Sequence, residues 1–214
     1  MSVADNIAAL RKQLPERVIL IAVSKTRPVP EIQEAYNAGQ RDFGENRVQE
    51  LLPKYEALPK DIRWHLIGHL QSNKVKYIAP FVHLIHSVDS EKLLQEIDRQ
   101  AEKCNRIISV LLQIFIAREE TKFGFSFDEA AELLSRKDRF PHVKIAGLMG
   151  MATNTDDGEA VRKEFRSLHD FFAEHITQLT APAILSMGMS SDWTIAIEEG
   201  ANMIRVGSSI FGSR

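Results

Sequence analysis

Short apolar or β-branched runs alternate along this chain with longer stretches whose apolar residues recur every three or four positions. That beat predicts βα units feeding a parallel sheet. Residues 3–14 carry Val3, Ile7, Leu10 and Leu14 at helical spacing and predict an amphipathic helix. Eight strand candidates follow, at 18–25, 42–46, 63–68, 84–89, 109–117, 143–152, 183–190 and 202–210. A helix over 29–39 is closed by Gly39. Another, over 90–105, starts on Ser90 as N-cap and sets Leu93, Leu94, Ile97 and Ala101 on one face. A third begins after Ser126, the longest begins at Gly158, and a short one follows Ser190 and Ser191 and ends at Gly200.

Eight strands, each but the last followed by a clear helix, predict a single (β/α)8 TIM barrel over residues 1–214. This is a trimmed version of a fold that usually takes about 250 residues. The same beat fits an open doubly wound sheet. The strand count and the similar weight of the strands favour the barrel, and neither fold leaves room for a second substantial domain.

Composition narrows the class. Lys and Arg number 27 against 29 Asp and Glu, a net charge of −2, which argues against a sequence-independent nucleic-acid binder. One cysteine, Cys104, cannot form an intramolecular disulfide and suits a reducing compartment. The N-terminus lacks a basic start followed by an apolar stretch, so a signal peptide is not expected. The longest apolar run, 18–23, is too short for a bilayer. A soluble cytoplasmic protein without nucleic-acid or membrane partners is the expectation.

In a barrel the chemistry gathers where strands end and in the loops beyond them. Lys25 closes the first strand after an apolar run and is followed by Thr26 and Arg27. An amine held against apolar neighbours and a second cation loses its proton more easily, and a neutral amine can attack an aldehyde. On position alone, an ordinary solvated loop lysine is the stronger reading. Ser190 and Ser191 precede a short helix, where an N-cap hydroxyl and free N–H groups suit an anion. Gly207 and Ser208 add close backbone approach and a hydroxyl beyond the eighth strand. Barrels often bind phosphate with these two loops. Arg205, inside an apolar strand, must face a polar site or be paired, with a ligand or with an acid such as Glu45.

Other signals fall away. His65 and His69 have i, i+4 spacing but lie in a strand-like stretch without a following Glu, so no metal is expected. No dinucleotide or P-loop motif is present. Cys104 reads as a structural thiol, and the methionines of 147–151 and 187–189 as packing in the barrel or lining its mouth.

The ordered motifs AVSKTRP (22–28), DFGENRVQEL (42–51), WHLIGHLQSNK (64–74), HSVDS (86–90), KFGF (122–125), GLMGMA (147–152) and the stretch 185–212 carry a resemblance that runs nearly end to end. On these motifs the chain resembles the YggS/PROSC family, the pyridoxal phosphate homeostasis proteins. The resemblance implies a single barrel similar to the N-terminal domain of alanine racemase, with pyridoxal 5′-phosphate held as a Schiff base on Lys25. It implies phosphate contacts from Ser190, Ser191, Gly207 and Ser208, with Asn46 near the cofactor and Arg205 facing the pyridine nitrogen. Ser208 stands where the family commonly has threonine, which keeps the hydroxyl. The stretch 116–120 departs from the family's usual pattern, away from the cofactor residues.

An arginine at that nitrogen would repel a ring proton and weaken the ring as an electron sink. The second domain that completes a racemase is not expected here. These considerations favour a carrier that buffers or transfers the cofactor to dependent apo-enzymes without efficient turnover. The alternatives are a vestigial amino-acid racemase, an aldolase using Lys25 on a phosphorylated carbonyl compound, and a pure interaction scaffold. Lys122 is a candidate accessory amine for release, and a monomer is the expected state.

Overall fold

The computed structural model describes residues 2–117 and 123–212. Strands and helices alternate as α1 (Val3–Arg11), β1 (Ile19–Val23), α2 (Val29–Asn37), β2 (Asp42–Glu45), α3 (Val48–Ala57) and β3 (Arg63–Leu66). They continue as α4 (Val75–Ile78), β4 (Leu84–Val88), α5 (Glu91–Lys103), β5 (Ile108–Gln113), α6 (Phe127–Ser135) and β6 (Val143–Met149). The last elements are α7 (Gly158–His175), β7 (Ile184–Ser186), α8 (Trp193–Glu198), β8 (Met203–Val206) and α9 (Ser208–Phe211). All eight strands run parallel in sequence order, and β1 pairs with β8 to close the barrel. The open doubly wound sheet is thereby excluded.

Period-two alternation sorts the strand residues into two cores. Leu20, Ala22, Phe43, Trp64, Leu66, Ile204 and Val206 face outward and pack beneath the helices. Ile21, Leu84, Leu111, Met149 and Met203 fill the barrel itself. The helix boundaries follow local chemistry. Gly39 follows the end of α2 with φ +90, a left-handed conformation that would strain a side chain. Ser90 accepts from the Leu93 N–H at 3.3 Å, and Ser126 forms a reciprocal capping box with Glu129.

Several boundaries differ from the sequence expectation: β5 ends at Gln113, β6 at Met149 and β7 at Ser186, short of the expected 117, 152 and 190. The eighth strand stops at Val206, because the Gly207 carbonyl accepts from the N–H groups of Ile210 and Phe211 and turns 208–211 into the short helix α9. The N-cap of α8 is Asp192 rather than Ser190. The Asp192 carboxylate reaches back to accept from the Met189 N–H at 2.5 Å, which bends the chain between them. Helix α1 packs beside both α9 and α2. Among the described residues, no helix is long and apolar enough to cross a membrane.

Candidate functional site at the C-terminal mouth of the barrel

Lys25 lies just past β1, between two backbone constraints. On one side the carbonyl of buried Ser24 accepts from Lys54 Nζ at 2.8 Å. The same Nζ lies 2.7 Å from Glu45 Oε1, which also accepts from Ser24 Oγ at 2.5 Å. Burial raises the Glu45 carboxyl above its ordinary range, against the opposing pull of Lys54 and Ser24. On the other side Thr26 has φ +62, a left-handed conformation that costs a β-branched residue about 1–3 kcal/mol. Its N–H donates to Glu50 Oε2 at 2.7 Å, which holds the turn in place. The lysine stem therefore leaves the barrel from a fixed point.

A cavity of about 310 Å³ opens there, within the size range of small-ligand sites. Lys25, Asn46, Ser190, Arg205, Gly207 and Ser208 all line it, drawn from the ends of β1, β2, β7 and β8. Its apolar walls are Val23, Ile67, Met151 and Met189. Ser191 does not join them. It is exposed, outside the lining, in the bend between Met189 and Asp192.

Arg205 is 4 % exposed and faces into the barrel, where it donates to Ser186 Oγ at 2.6 Å and to the Gly150 carbonyl at 3.0 Å. Burial lowers its guanidinium to about 10, still a cation at neutral pH, with the charge of Asp192 opposing the shift. It is not paired with Glu45, because the two residues sit on opposite faces of the barrel wall. Glu45 turns outward to α3 and its Lys54.

Ser190 and Gly207 meet across the β7 and β8 loops, the Gly207 N–H donating to Ser190 Oγ at 3.2 Å. A Cβ added at Gly207 would come within 3.3 Å of both the Val23 Cβ and the Val23 carbonyl oxygen. Ser208 starts α9, and the first N–H groups of a helix have no acceptor within it. Asn46 is set by another close approach, since a Cβ at Gly68 would fall 2.5 Å from the Asn46 carbonyl oxygen. An amine, a buried cation, hydroxyls and backbone N–H groups thus surround an apolar slot. That donor set suits a flat, anionic carbonyl compound.

Sequence reasoning did not single out Arg27 or Gly212 as lining the cavity. Arg27 donates to the Gly212 carbonyl across the mouth and lies 3.6 Å from Glu31. The signal was available in the basic residue two places beyond Lys25. His65 and His69 do not come together. His65 Nε2 lies 3.1 Å from Asp42 at the opposite mouth, and His69 Nδ1 lies 3.0 Å from Asp89. Among the described residues, potential metal ligands gather in one group, Asp42, His65 and His83, where Arg63 already binds both Asp42 oxygens. Met149 and Met187 are buried, whereas Met151 and Met189 line the cavity. Cys104 is half-buried at the end of α5. Lys122 lies outside the described residues.

Comparison with known proteins places this architecture. The family model of the alanine racemase N-terminal domain matches residues 1–214. A pyridoxal phosphate homeostasis protein of Aquifex aeolicus is 45% identical, covering 91% of this chain and 86% of that protein. Its counterpart in Vibrio alginolyticus is 40% identical over 100% of this chain and 98% of its own. The structure of PipY from Synechococcus elongatus with PLP bound superposes with a TM-score of 0.89 and 41% identity, covering 99% of this chain and 100% of that one. The alanine racemase of Clostridium difficile shares the fold at a TM-score of 0.80 and 15% identity, and this chain covers 56% of it. With its whole length matched and relatives this similar along nearly all of it, the chain belongs to the alanine racemase N-terminal domain family, in the branch of the pyridoxal phosphate homeostasis proteins.

Proposed function

We propose that this chain holds pyridoxal 5′-phosphate at the C-terminal mouth of its barrel and buffers or transfers it, without efficient catalytic turnover. The observation that carries the reading is the convergence of Lys25, Arg205 and the Ser190–Gly207 pair on one cavity. The residues fit the group. A buried cation with neutral hydrogen-bond partners faces the slot, and Gly207 lets the β8 loop lie close against Val23 beside two loops rich in donors. When bound, the cofactor supplies an aldehyde that an amine captures reversibly, and an anion that anchors it.

In this reading Lys25 is the capturing amine. Ser190, Gly207 and Ser208 hold the phosphate through hydroxyl and N–H donors. Ser191 is left out, because it is exposed and outside the cavity. Asn46 orients the ring edge, and Val23, Ile67, Met151 and Met189 exclude water from its faces. Arg205 remains charged at neutral pH, so it discourages a proton on a ring nitrogen beside it. A ring kept neutral in this way withdraws electrons weakly, which favours holding the aldehyde over carbanion chemistry. The names of the curated relatives and the PLP-bound PipY structure support the same function. The proposal extends to one domain over 1–214, a cytoplasmic monomer, and dependent apo-enzymes as recipients.

The test is borohydride reduction of the protein loaded with pyridoxal phosphate, followed by peptide mass mapping. The expected adduct sits on Lys25. An adduct spread over surface lysines, or none, overturns the reading. A second expectation concerns the phosphate end. Gly207→Val should weaken cofactor binding at least tenfold, at about 1.4 kcal/mol per decade, while the protein stays folded. Ser191→Ala should leave binding unchanged, and titration calorimetry compares the two.

A further inference from the structure

A small barrel is ordinarily filled by branched apolar side chains. Here His65, His86, Ser186 and Arg205 also face inward, between 0% and 4% exposed. They are joined end to end. Arg205 Nη1 lies 2.6 Å from Ser186 Oγ, and Ser186 Oγ lies 3.2 Å from His86 Nδ1. His86 Nε2 lies 2.9 Å from His65 Nδ1, and His65 Nε2 lies 3.1 Å from Asp42 Oδ1. Beyond Asp42, Arg63 holds both carboxylate oxygens, at 2.6 and 2.5 Å. The chain of bonds thus crosses the barrel from the cofactor cavity to the opposite mouth through β8, β7, β4, β3 and β2.

The two ends dictate every proton between them. A guanidinium can only donate and an ionised carboxylate can only accept. Ser186 Oγ therefore accepts from Arg205 and gives its own proton to His86 Nδ1. At the far end His65 Nε2–H donates to Asp42, which leaves His65 Nδ1 as an acceptor. His86 Nε2–H fills it. With both imidazoles neutral, this is the arrangement that gives each link one donor and one acceptor. Desolvation favours it by lowering both histidines, His86 the further of the two. Burial alone would raise the Asp42 carboxyl, but hydrogen bonds from Arg63 and His65 outweigh it and keep Asp42 ionised.

We propose that Ser186, His86, His65 and Asp42 are positioning residues for Arg205: a one-directional hydrogen-bond chain that ties the cofactor-facing cation to a carboxylate at the far mouth of the barrel. Aligned bonds polarise one another, so Asp42 makes the Ser186 oxygen a better acceptor although it never approaches the cavity. The role at the cofactor rests on the function proposed above. The chain itself is tested without it.

The experiment is side-chain nitrogen NMR on the full-length protein, first free and then with added pyridoxal phosphate. In the free protein both His65 and His86 are expected as the Nε2–H tautomer, and Asp42→Asn should shift the Arg205 side-chain resonances. The Nδ1–H tautomer at either histidine, or an Arg205 signal indifferent to Asp42→Asn, overturns the chain whether or not the cofactor binds. With the cofactor, Ser186→Ala should raise the dissociation constant about tenfold and Asp42→Asn about threefold, the smaller effect acting at a distance. Unchanged constants in both variants overturn the positioning role. A purely structural Asp42 would alter the melting temperature and leave the Arg205 resonances and the constants alone.

Discussion

Lys25→Ala is expected to abolish the visible absorption of the pyridoxal phosphate-loaded protein and to leave a ligand that dialysis removes. The size of the effect follows from what remains. The cofactor has about 16 non-hydrogen atoms, and drug-sized ligands gain about 0.3 kcal/mol per atom from non-covalent contacts. Roughly 5 kcal/mol would survive, a dissociation constant of about 0.2 mM. The wild type, with the amine in place, should bind at least a hundredfold more tightly. Lys25 is half-buried at the strand end, so its replacement should leave the fold intact. Circular dichroism and the melting curve should therefore match the wild type while the absorption band and retention are lost. A variant that keeps the band would move the capturing amine elsewhere in the chain.

The features that could be read along the chain are those set by neighbours in sequence. Gly39, Ser90 and Ser126 mark helix ends through contacts spanning a few residues. The eight-strand rhythm comes from local periodicity, so the barrel was legible as well. Ser190 misled because two serines before a helix look like a cap, whereas Asp192 fills that role and Ser190 instead receives the Gly207 N–H from the next strand. That bond exists only once the barrel has closed. The same holds for the interior chain, in which His86 meets Ser186 across 100 positions of sequence.

Strand alternation separates the two readings of Arg205, as a ligand contact and as an interior partner of Glu45, and decides for the first. Asp42 and Gly44 face the interior, while Phe43 and Glu45 face the helices. On β8, Met203 and Arg205 face inward and Ile204 and Val206 outward. Parity counted from the apolar residues would have sent Arg205 to the cavity and Glu45 to α3.

That outward pair carries the other large effect. Lys54→Met is expected to destabilise the protein by about 3–5 kcal/mol near neutral pH, because it strands Glu45 as a buried charge without its partner. At about 2–4 °C per kcal/mol for a chain this long, the melting temperature should fall by roughly 10 °C. The loss should shrink in acid. Burial already raises the Glu45 carboxyl, and removing the ammonium raises it further, so the folded variant holds a proton that the unfolded chain releases. Its stability relative to wild type is therefore best below the ordinary glutamate range, near 4.3, and declines as pH rises. Adding Glu45→Gln should recover most of the stability at neutral pH, since an amide can still accept from Ser24. It cannot restore the bond from Lys54 Nζ to the Ser24 carbonyl, one residue before Lys25. The double variant should thus melt near the wild type yet release cofactor faster, which separates what Lys54 does for the fold from what it does for the anchor. If cofactor release recovers along with the melting temperature, Lys54 serves the fold alone, and the fixed exit of Lys25 must come from the turn that Glu50 holds at Thr26.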